Sequence, residues 1–175
     1  GFIEKPPPGS APTNLINAGV YLFEPSILDR IPAGVEYSAE HGLFPGLVSE
    51  GAALFATPTD AYWMDIGTPQ KYLTANLDAL SGRFVTDAVP DPGPRAVVVG
   101  DGAEVAEDAR VSSSCVGAGT TVAPRAIVER SVLLPGVRIG AGARVIGSVL
   151  GEGAVVDDGA VLEDETIGDR ERVST

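Results

Sequence analysis

A seventeen-residue repeat organises the second half of the chain. Counted from Val99 in steps of seventeen, three apolar columns run in parallel, six residues apart within each repeat. All fourteen members of these columns are aliphatic: Val99, Val116, Leu133, Leu150 and Ile167; Val105, Val122, Ile139, Val156 and Val173; Val111, Val128, Val145 and Leu162. Self-similarity at a fixed period is typical of repeat architectures. The repeat therefore constrains the fold more than any other feature of this sequence.

The spacing inside each repeat predicts strands rather than helices. Apolar residues recur at steps of six, six and five, whereas an amphipathic helix needs steps of three and four. Glycine suits corners where φ is positive, and alanine suits a place with little room. Both residues form columns in the same register: Gly102, Gly119, Gly136 and Gly153; Ala109, Ala126, Ala143 and Ala160. Three short strands per repeat, joined at such corners, predict a parallel β-solenoid whose coils stack about 4.8 Å apart.

The repeat units resemble those of the hexapeptide-repeat left-handed β-helix family. The units Val116-Gly-Ala-Gly-Thr-Thr, Ile139-Gly-Ala-Gly-Ala-Arg and Leu150-Gly-Glu-Gly-Ala-Val carry this resemblance, which covers residues 99–173. The left hand is implied by the family alone, because general crossover rules favour the right hand. Such solenoids serve acyltransferases, nucleotidyltransferases and scaffolds alike, so the repeat predicts a fold and not a function.

The residues before the repeat have the pattern of an α/β piece. Thr68 is a suitable N-cap before Pro69, and Gly82 would end the helix that follows. The other predicted elements are strands over residues 15–23, 53–57 and 61–66 and short helices over residues 25–31 and 38–50. We therefore predict three parts: an α/β domain over residues 1–82, a Pro-rich linker over 83–98 and the β-helix over 99–175.

Charge and composition narrow the classes of partner. The formal net charge of −12 disfavours nucleic acids and anionic membrane surfaces. No apolar run approaches 18 residues and no signal peptide is visible, so we expect no membrane association and a cytoplasmic location. Cys115 is the single cysteine, which excludes a disulfide framework within the chain. We expect it to be a small buried hydrophobe.

Two short segments near the start of the chain hold groups suited to binding a ligand. In Phe2-Ile3-Glu4-Lys5-Pro6, Lys5 follows an expected strand end, where open α/β sheets bind ligands, and a point cation suits a phosphate. In Leu15–Tyr21, Asn17 lies within an apolar stretch and needs hydrogen-bond partners, such as ligand hydroxyl groups. Gly19 would allow a ligand to approach. The alternatives are a surface lysine and an asparagine satisfied by the backbone in a β-bulge.

The third segment is Tyr62-Trp63-Met64-Asp65-Ile66-Gly67-Thr68. A carboxylate inside an apolar stretch is costly to bury unless it is paired or bound to a metal. Asp65 suits Mg²⁺, which takes one or two protein oxygens together with substrate phosphates. The alternative is that Asp65 caps the helix that follows it.

Together and in this order, the three segments resemble the second half of a sugar-1-phosphate nucleotidyltransferase, also called an NDP-sugar pyrophosphorylase. That family shows E-K-P, then N-[SA]-G, then W-x-D-x-G-T, with a left-handed β-helix behind them in many members. The stretch Asn14–Tyr21 looks most like the mannose-1-phosphate guanylyltransferases. The resemblance implies an α/β fragment of a nucleotidyltransferase domain followed by a left-handed parallel β-helix.

The resemblance also implies roles for single residues and a reaction. Lys5 and Asp65 would be the catalytic residues, with Lys5 on the sugar 1-phosphate and Asp65 holding the Mg²⁺ cofactor. The implied substrate-binding residues are Glu4, Lys5, Asn17, Gly19 and Gly67. The sugar 1-phosphate would attack the α-phosphorus of a nucleoside triphosphate and release pyrophosphate, with mannose 1-phosphate and GTP giving GDP-mannose. Such chemistry needs positioning and charge neutralisation rather than a protein nucleophile.

The Gly-rich phosphate loop that opens this family, G-G-x-G-T-R-L-x-P-L, does not occur in the sequence. The family's second metal-binding aspartate is also missing. We therefore expect this chain to be the C-terminal portion of a longer enzyme, to need the N-terminal half of that enzyme as its partner, and to be inactive by itself.

Several alternatives stay open. Other members of the family would use glucose 1-phosphate with UTP, dTTP or ATP, and a non-catalytic regulatory or scaffold subunit could have the same fold. A hexapeptide acyltransferase would need a histidine beside the solenoid, but His41 is the single histidine and lies far upstream. Unpaired strand edges at the ends of the solenoid favour a homo-oligomer.

Overall fold

The computed structural model describes residues 6–174. The chain divides into two compact units, residues 1–63 and residues 64–175. Across the described residues, no helix is both long and apolar enough to cross a lipid bilayer. The domain boundaries predicted at residues 82 and 98 stay predictions.

Fourteen short strands form three parallel sheets within residues 64–174. In chain order they are β1 (Val97–Val99), β2 (Glu104–Val105), β3 (Arg110–Ser112), β4 (Ser114–Val116), β5 (Thr121–Val122), β6 (Ile127–Glu129), β7 (Val132–Leu133), β8 (Arg138–Ile139), β9 (Arg144–Ile146), β10 (Val149–Leu150), β11 (Val155–Val156), β12 (Val161–Glu163), β13 (Thr166–Ile167) and β14 (Arg172–Val173). Sheet A has the order β1-β4-β7-β10-β13, sheet B β2-β5-β8-β11-β14, and sheet C β3-β6-β9-β12. Each strand pairs with the strand one repeat away, so the predicted parallel β-solenoid is confirmed.

The three predicted apolar columns point into the solenoid and form its core. Their middle members are almost completely buried; Leu133, Val145 and Leu150, for example, are at most 1% exposed. The first-coil members behave differently, since Val99 is 52% and Val105 40% exposed. A coil buries its inward face only against its neighbours, so the terminal coil stays partly open. The alanine column fills the tight positions, and Ala126 and Ala143 are fully buried.

The corners of the coils use left-handed backbone, as the glycine column predicts. Gly102, Gly119, Gly136 and Gly153 have φ between 64° and 73°. Side chains other than glycine also occupy corners, and Arg125 and Arg130 have φ of 62° and 49°. The repeat therefore fixes the corner geometry even where the residue type does not favour it.

A buried serine column joins the coils at one corner. Ser114, Ser131 and Ser148 are completely buried, and each hydroxyl donates to the carbonyl two residues before it, at 2.7–2.8 Å. Each Oγ also accepts the backbone N–H of the residue seventeen positions later, which is Ser131, Ser148 or Glu165, at 3.0–3.1 Å. The column thus satisfies buried backbone donors that no strand partner reaches.

We expect Ser131→Ala to lower the free energy of unfolding by about 1–3 kcal/mol, because the buried N–H of Ser148 loses its acceptor. Urea denaturation followed by circular dichroism measures this change. Thr121→Ala, at an exposed position that points outward from sheet B, is the matched control and should change stability by less than about 0.5 kcal/mol. Equal effects of the two substitutions would show that the serine column does not stabilise the coils.

Helix α2 (Pro69–Leu80) covers the outer face of sheet A. Thr68 caps it by accepting the N–H of Lys71, and Gly82 follows its end with φ of 80°, as the sequence predicts. Leu73 of α2 packs on Val132 and Val149, which point outward from the sheet. This covering helix explains why an outward column of the repeat is apolar.

Cys115 belongs to the same outward column and packs beneath α2. Its Sγ donates to Oδ1 of Asn76 at 3.5 Å, and burial raises the pKa of the thiol. A raised pKa leaves the thiol protonated and unreactive at neutral pH. The prediction of a structural cysteine therefore agrees with its surroundings.

The last coil is held by an ion pair on the outside of sheet B. Asp157 Oδ1 accepts a hydrogen bond from Nε of Arg172 at 2.9 Å and lies 2.7 Å from Nη2 of the same guanidinium, and Oδ2 accepts from the Ser174 hydroxyl at 3.0 Å. These hydrogen bonds, from Arg172 first and then Ser174, hold the pKa of Asp157 below its ordinary value of 3.8. Their contribution to stability is therefore complete above that value and is lost as the pH falls through the lower folded-state pKa.

We expect the last coil to open in acid before the middle coils do. Hydrogen exchange of the amides that link β11 and β14, such as Val155 N–H to Glu171 O, should accelerate relative to those linking β7 and β10 below about pH 4. Asp157→Asn should remove this pH dependence. Uniform acceleration in all coils, or an unchanged pH dependence in Asp157→Asn, would contradict the assignment.

The first unit contains helical turns and no strand within residues 6–63. A 3-10 helix spans Pro25–Arg30, a π-helical turn spans Ala39–Leu43, and α1 (Phe44–Ser49) follows directly. These elements match the two predicted short helices. Leu43, Phe44 and Leu47 form a small core with Phe23 and Ile27.

The three predicted strands over residues 15–23, 53–57 and 61–66 are wrong for this structure. None of these segments is hydrogen-bonded to another strand, and Leu22 and Phe55 are 100% and 89% exposed. A parallel strand exists only with neighbours that pair with its backbone and cover its faces. Apolar composition alone predicted the strands, but the described residues supply no such neighbours.

Candidate functional site

The second predicted motif forms a tight turn that presents the Asn17 amide. Asn17 Oδ1 accepts the backbone N–H of Gly19 at 3.1 Å, and Gly19 has φ of 73° with open space where a Cβ would lie. The turn is exposed rather than buried in a strand. The alternative interpretation, in which the backbone satisfies the Asn17 side chain, is therefore correct for its Oδ1. The local structure is an Asx-type turn and not the β-bulge that this alternative named.

A side-chain network fixes the other end of the same amide. Asn17 Nδ2 donates to the Tyr21 hydroxyl, and that hydroxyl donates to Oε1 of Glu40 at 3.2 Å. The Ser38 hydroxyl donates to Oε2 of Glu40, also at 3.2 Å. The backbone amide of Glu40 itself, followed by Ser38 and Tyr21, holds the pKa of this carboxyl below its ordinary value. An ionised Glu40 thus orients the Tyr21 hydroxyl, which in turn orients Asn17.

Trp63 links the second motif to the start of the third. Its indole Nε1 donates to the carbonyl of Ala18 at 3.1 Å, across 45 residues of sequence. Tyr21 is held in turn by ring contacts with Phe23 and Phe44, at centroid distances of 5.6 and 5.0 Å. Trp63, in the first part of the third motif, therefore contacts the Asn17–Gly19 turn within the first unit.

Asp65, in the second unit, carries an exposed carboxylate just before α2. Its Oδ2 lies 3.7 Å from Nζ of Lys71, and both side chains are more than half exposed. The cap of α2 is Thr68, whose Oγ1 accepts from Lys71 N–H at 3.3 Å. The alternative that Asp65 caps this helix is therefore wrong, and its carboxylate is available to a ligand at the expense of a weak surface ion pair.

Gly67 and Thr68 line a shallow groove on the outer face of sheet A. The opposite wall of this groove comes from β10 and β13, through Val149 and Ile167. A Cβ at Gly67 would lie 3.8 Å from the nearest carboxylate oxygen of Asp65. That distance is an ordinary van der Waals contact, so the Asp65 carboxylate by itself does not require glycine at residue 67.

Asp65 could be one carboxylate ligand of a Mg²⁺ ion, but it does not belong to a site in which protein side chains supply most of the ligands. Within residues 6–174, no cluster of three or more His, Cys, Asp or Glu side chains could hold a metal ion. Mg²⁺ commonly keeps most of its waters and takes one or two carboxylates plus substrate phosphates. One exposed carboxylate is consistent with that mode of binding, in which most ligands come from substrate and water.

The structure thus places Asn17 and Gly19 in one turn of the first unit and Asp65 and Gly67 beside α2 in the second. Glu4 and Lys5 lie outside the described residues, so their predicted roles stay predictions. Sequence reasoning missed Tyr21 and Glu40 as partners of Asn17 and Lys71 as the partner of Asp65. Only the spacing of Tyr21 from Asn17, four residues within one motif, was a signal that could have been used.

Two family models together match most of the chain. The Nucleotidyl transferase model matches residues 1–82, and the GMPPB C-terminal domain model matches residues 93–175. The chain belongs to the nucleotidyl transferase family. With the three parallel sheets described above, this membership confirms the predicted fold class, a fragment of a nucleotidyltransferase domain followed by a parallel β-helix, and is consistent with the left hand that the resemblance implies.

Curated relatives of this nucleotidyl transferase chain include enzymes for different sugars and bases. It is 36% identical over 147 residues to the mannose-1-phosphate guanylyltransferase of Mycobacterium tuberculosis (strain ATCC 25618 / H37Rv), covering 81% of this chain and 39% of the relative. It is 35% identical to the probable mannose-1-phosphate guanylyltransferase 3 of Oryza sativa subsp. japonica, covering 95% and 46%. It is 30% identical to the UTP–glucose-1-phosphate uridylyltransferase of Synechocystis sp. (strain ATCC 27184 / PCC 6803 / Kazusa), covering 85% and 44%. The chain spans less than half of the length of each of these relatives.

Proposed function

We propose that this chain is the sugar-binding part and the β-helix of a sugar-nucleotide pyrophosphorylase that makes GDP-mannose and pyrophosphate from mannose 1-phosphate and GTP. The observation that carries the proposal is a contact within the first unit, where Trp63 of the third motif donates to the carbonyl of Ala18 in the second motif, beside Asn17. The guanylyltransferase relatives at 35–36% identity support this choice of sugar and base.

In this proposal the residues of the chain position the sugar 1-phosphate. The Asn17 amide and Glu4 hydrogen-bond sugar hydroxyl groups, and the open backbone at Gly19 lets the sugar approach. The Lys5 ammonium neutralises the 1-phosphate, which matters in a chain whose net charge is −12. Holding the attacking phosphate oxygen in line with the α-phosphorus supplies most of the catalysis that such a displacement needs.

The proposed cofactor is Mg²⁺, held from the protein side by Asp65. When bound, it would offset negative charge on the reacting phosphates. Nζ of Lys71 lies 3.7 Å from the Asp65 carboxylate. Because this ion pair is exposed, a divalent cation can displace it at little cost.

The proposed partner of this chain is the nucleotide-binding half of the same enzyme. Exposed apolar side chains line the segments where the sequence predicts strands: Leu15, Ile16, Val20, Leu22 and Phe55. Large apolar side chains exposed in such number suit contact with another protein segment. Strands from the other half would pair with these segments and bury them, which supports a chain that is inactive alone.

A second specificity has support from one relative. The Synechocystis enzyme, at 30% identity, uses UTP and glucose 1-phosphate by its name. The residues that would recognise the nucleotide base are proposed to lie in the other half of the enzyme. The choice of sugar 1-phosphate and nucleoside triphosphate therefore needs a direct activity test.

The test is a pyrophosphate-release assay on two proteins: the chain alone, and a fusion protein in which this chain follows the part of the Mycobacterium tuberculosis relative that precedes the matched region. We expect no turnover by the chain alone. We expect the fusion protein to release pyrophosphate with mannose 1-phosphate, GTP and Mg²⁺, and to do so more slowly with glucose 1-phosphate. Turnover by the chain alone at ordinary enzyme rates, or a fusion protein that prefers glucose 1-phosphate, would contradict the proposal.

A further inference from the structure

The Asn17 side chain lies at one end of a chain of hydrogen bonds that runs through Tyr21 to Glu40. Asn17 Nδ2 donates to the Tyr21 hydroxyl, and that hydroxyl donates to Oε1 of Glu40 at 3.2 Å. We propose that Glu40, acting through Tyr21, is a positioning residue that fixes which way the Asn17 amide faces the sugar. The inference rests on the proposed function, in which Asn17 hydrogen-bonds a sugar hydroxyl group.

The direction of this hydrogen-bond chain follows from what each group can donate. An ionised carboxylate has no proton to give, so the Tyr21 hydroxyl is the donor in its hydrogen bond with Glu40. A hydroxyl has a single proton, so towards Asn17 the same group can only accept. The amide nitrogen of Asn17 must therefore point to Tyr21, and its amide oxygen must point away from it.

The other end of the amide requires the same orientation. Asn17 Oδ1 accepts the backbone N–H of Gly19 at 3.1 Å, and a backbone N–H can only donate. The reverse orientation would place the amide NH₂ against the Gly19 N–H, and the amide oxygen against a Tyr21 hydroxyl whose proton is already bound. Both hydrogen bonds would then be lost. Two separate contacts thus select one orientation of Asn17.

Local structure in turn holds Glu40 and Tyr21. Oε2 of Glu40 accepts the Ser38 hydroxyl at 3.2 Å, and the Ser38 oxygen accepts the backbone N–H of His41 at 3.1 Å, which caps the helical turn that contains Glu40. The ring of Tyr21 lies 5.0 Å from that of Phe44, the residue directly after this turn. One segment of the chain therefore fixes both the hydroxyl and the ring of Tyr21.

An amide held in this way presents a defined pair of groups to a ligand. A primary amide has two N–H donors and two carbonyl lone pairs. Tyr21 and Gly19 take one of each, so Asn17 keeps one donor and one acceptor, at an exposed turn with open space beside Gly19. Hydroxyl groups of a sugar both donate and accept, which matches this pair. Without Glu40 the ligand itself would have to order the side chain, and this cost lowers its affinity.

Steady-state kinetics of the fusion protein test the effect on sugar binding. We expect Glu40→Ala and Tyr21→Phe each to raise the KM for mannose 1-phosphate by about three- to tenfold. The kcat and the KM for GTP should stay within about twofold of the wild-type values, because only binding of the sugar is weakened. Tyr21→Phe removes the hydroxyl and keeps the ring. Since both residues act through one chain of hydrogen bonds, the double variant should be no worse than the weaker single variant.

Two further variants separate positioning from general effects. Glu36→Ala is the matched control, because it removes an exposed carboxylate four residues before Glu40, and it should leave both KM values unchanged. Glu40→Gln keeps an oxygen that can accept from Tyr21, so its rise in KM should be smaller than that of Glu40→Ala. A KM for mannose 1-phosphate that is indifferent to Glu40→Ala would overturn the proposal. So would effects that multiply in the double variant, or equal rises in both KM values.

NMR spectra of the ¹⁵N-labelled chain test the hydrogen-bond chain without turnover. We expect Glu40→Ala and Tyr21→Phe to shift the Asn17 side-chain amide signals and to accelerate exchange of the Gly19 N–H, and Glu36→Ala to change neither. Unchanged signals in Glu40→Ala would overturn the proposal even if the fusion protein is active. A wild-type fusion protein without turnover would instead contradict the proposed function, and the amide signals would still decide whether Glu40 positions Asn17.

Discussion

Replacing Leu150 by alanine is expected to lower the free energy of unfolding of the β-helix by about 2–5 kcal/mol. Leu150 is completely buried and stacks between Leu133 and Ile167 of the neighbouring coils. The substitution removes apolar contacts on both sides and leaves a cavity that the short strands cannot close. Since each coil is stabilised only by its neighbours, weakening one junction weakens the coupling between the coils before and after it. Chemical denaturation followed by circular dichroism measures the loss.

The matched control for Leu150→Ala is Val155→Ala. Val155 lies on the neighbouring strand β11 but points outward from sheet B, and it is only partly buried. We expect a loss below about 1 kcal/mol for this variant. If the two substitutions cost the same, the assignment of the inward columns as the core would be wrong.

Replacing Asp65 by asparagine is expected to reduce pyrophosphate release by the fusion protein by at least about 100-fold, because a lost metal ligand removes several kcal/mol of transition-state stabilisation. The Asp65 carboxylate is exposed, its neighbour Gly67 leaves space beside it, and the helix cap is made by Thr68 instead. The substitution should therefore change the chemistry and leave the fold intact. Initial rates at saturating substrate measure the effect, with thermal unfolding as the test of folding.

Asp60→Asn is the matched control for Asp65→Asn. Asp60 is an exposed aspartate five residues earlier, so the substitution removes the same charge from the same region of sequence. We expect the rate to stay within about twofold of the wild-type value, since no ligand role falls on this residue. Equal losses in both variants would mean that net charge, and not metal binding at Asp65, controls the rate.

The sequence was sufficient to predict the β-helix because each coil repeats the same physical requirement. Leu133 and Leu150 occupy equivalent positions, and burial of one implies burial of the other. The Gly119 corner and the tight Ala143 position follow from the same register. The apolar column that contains Val132 was visible too, but the periodicity alone could not show that it points outward. The column is apolar because α2 packs on it, and α2 lies outside the repeat.

The first unit was predicted less well because its apolar stretches depend on partners that local sequence does not specify. Residues 15–23 have strand composition, yet Leu22 is fully exposed because no strand pairs with that segment. The helix over residues 38–50 was easier, since Ser38 caps it and the hydrogen bonds of a helix are local. Local structure was therefore predictable here, and sheet structure was not.

The candidate site was predictable as motifs but not as contacts. Asn17 and Asp65 were identified by residue type and order. Their partners Glu40 and Lys71 were not, because one comes from a different segment and the other from an ordinary position in a helix. A single hydrogen bond from Trp63 to Ala18 provides the long-range information that the sequence lacked.

The proposed reaction needs both Lys5, which would bind the sugar 1-phosphate, and Asp65, which would bind the metal. The most direct measurement is the broadening by Mn²⁺ of the ³¹P signal of mannose 1-phosphate in the presence of the fusion protein. We expect broadening beyond that seen without protein, lost in Asp65→Asn because the metal leaves and lost in Lys5→Gln because the sugar phosphate leaves. Protein-dependent broadening that persists in both variants would contradict the claim.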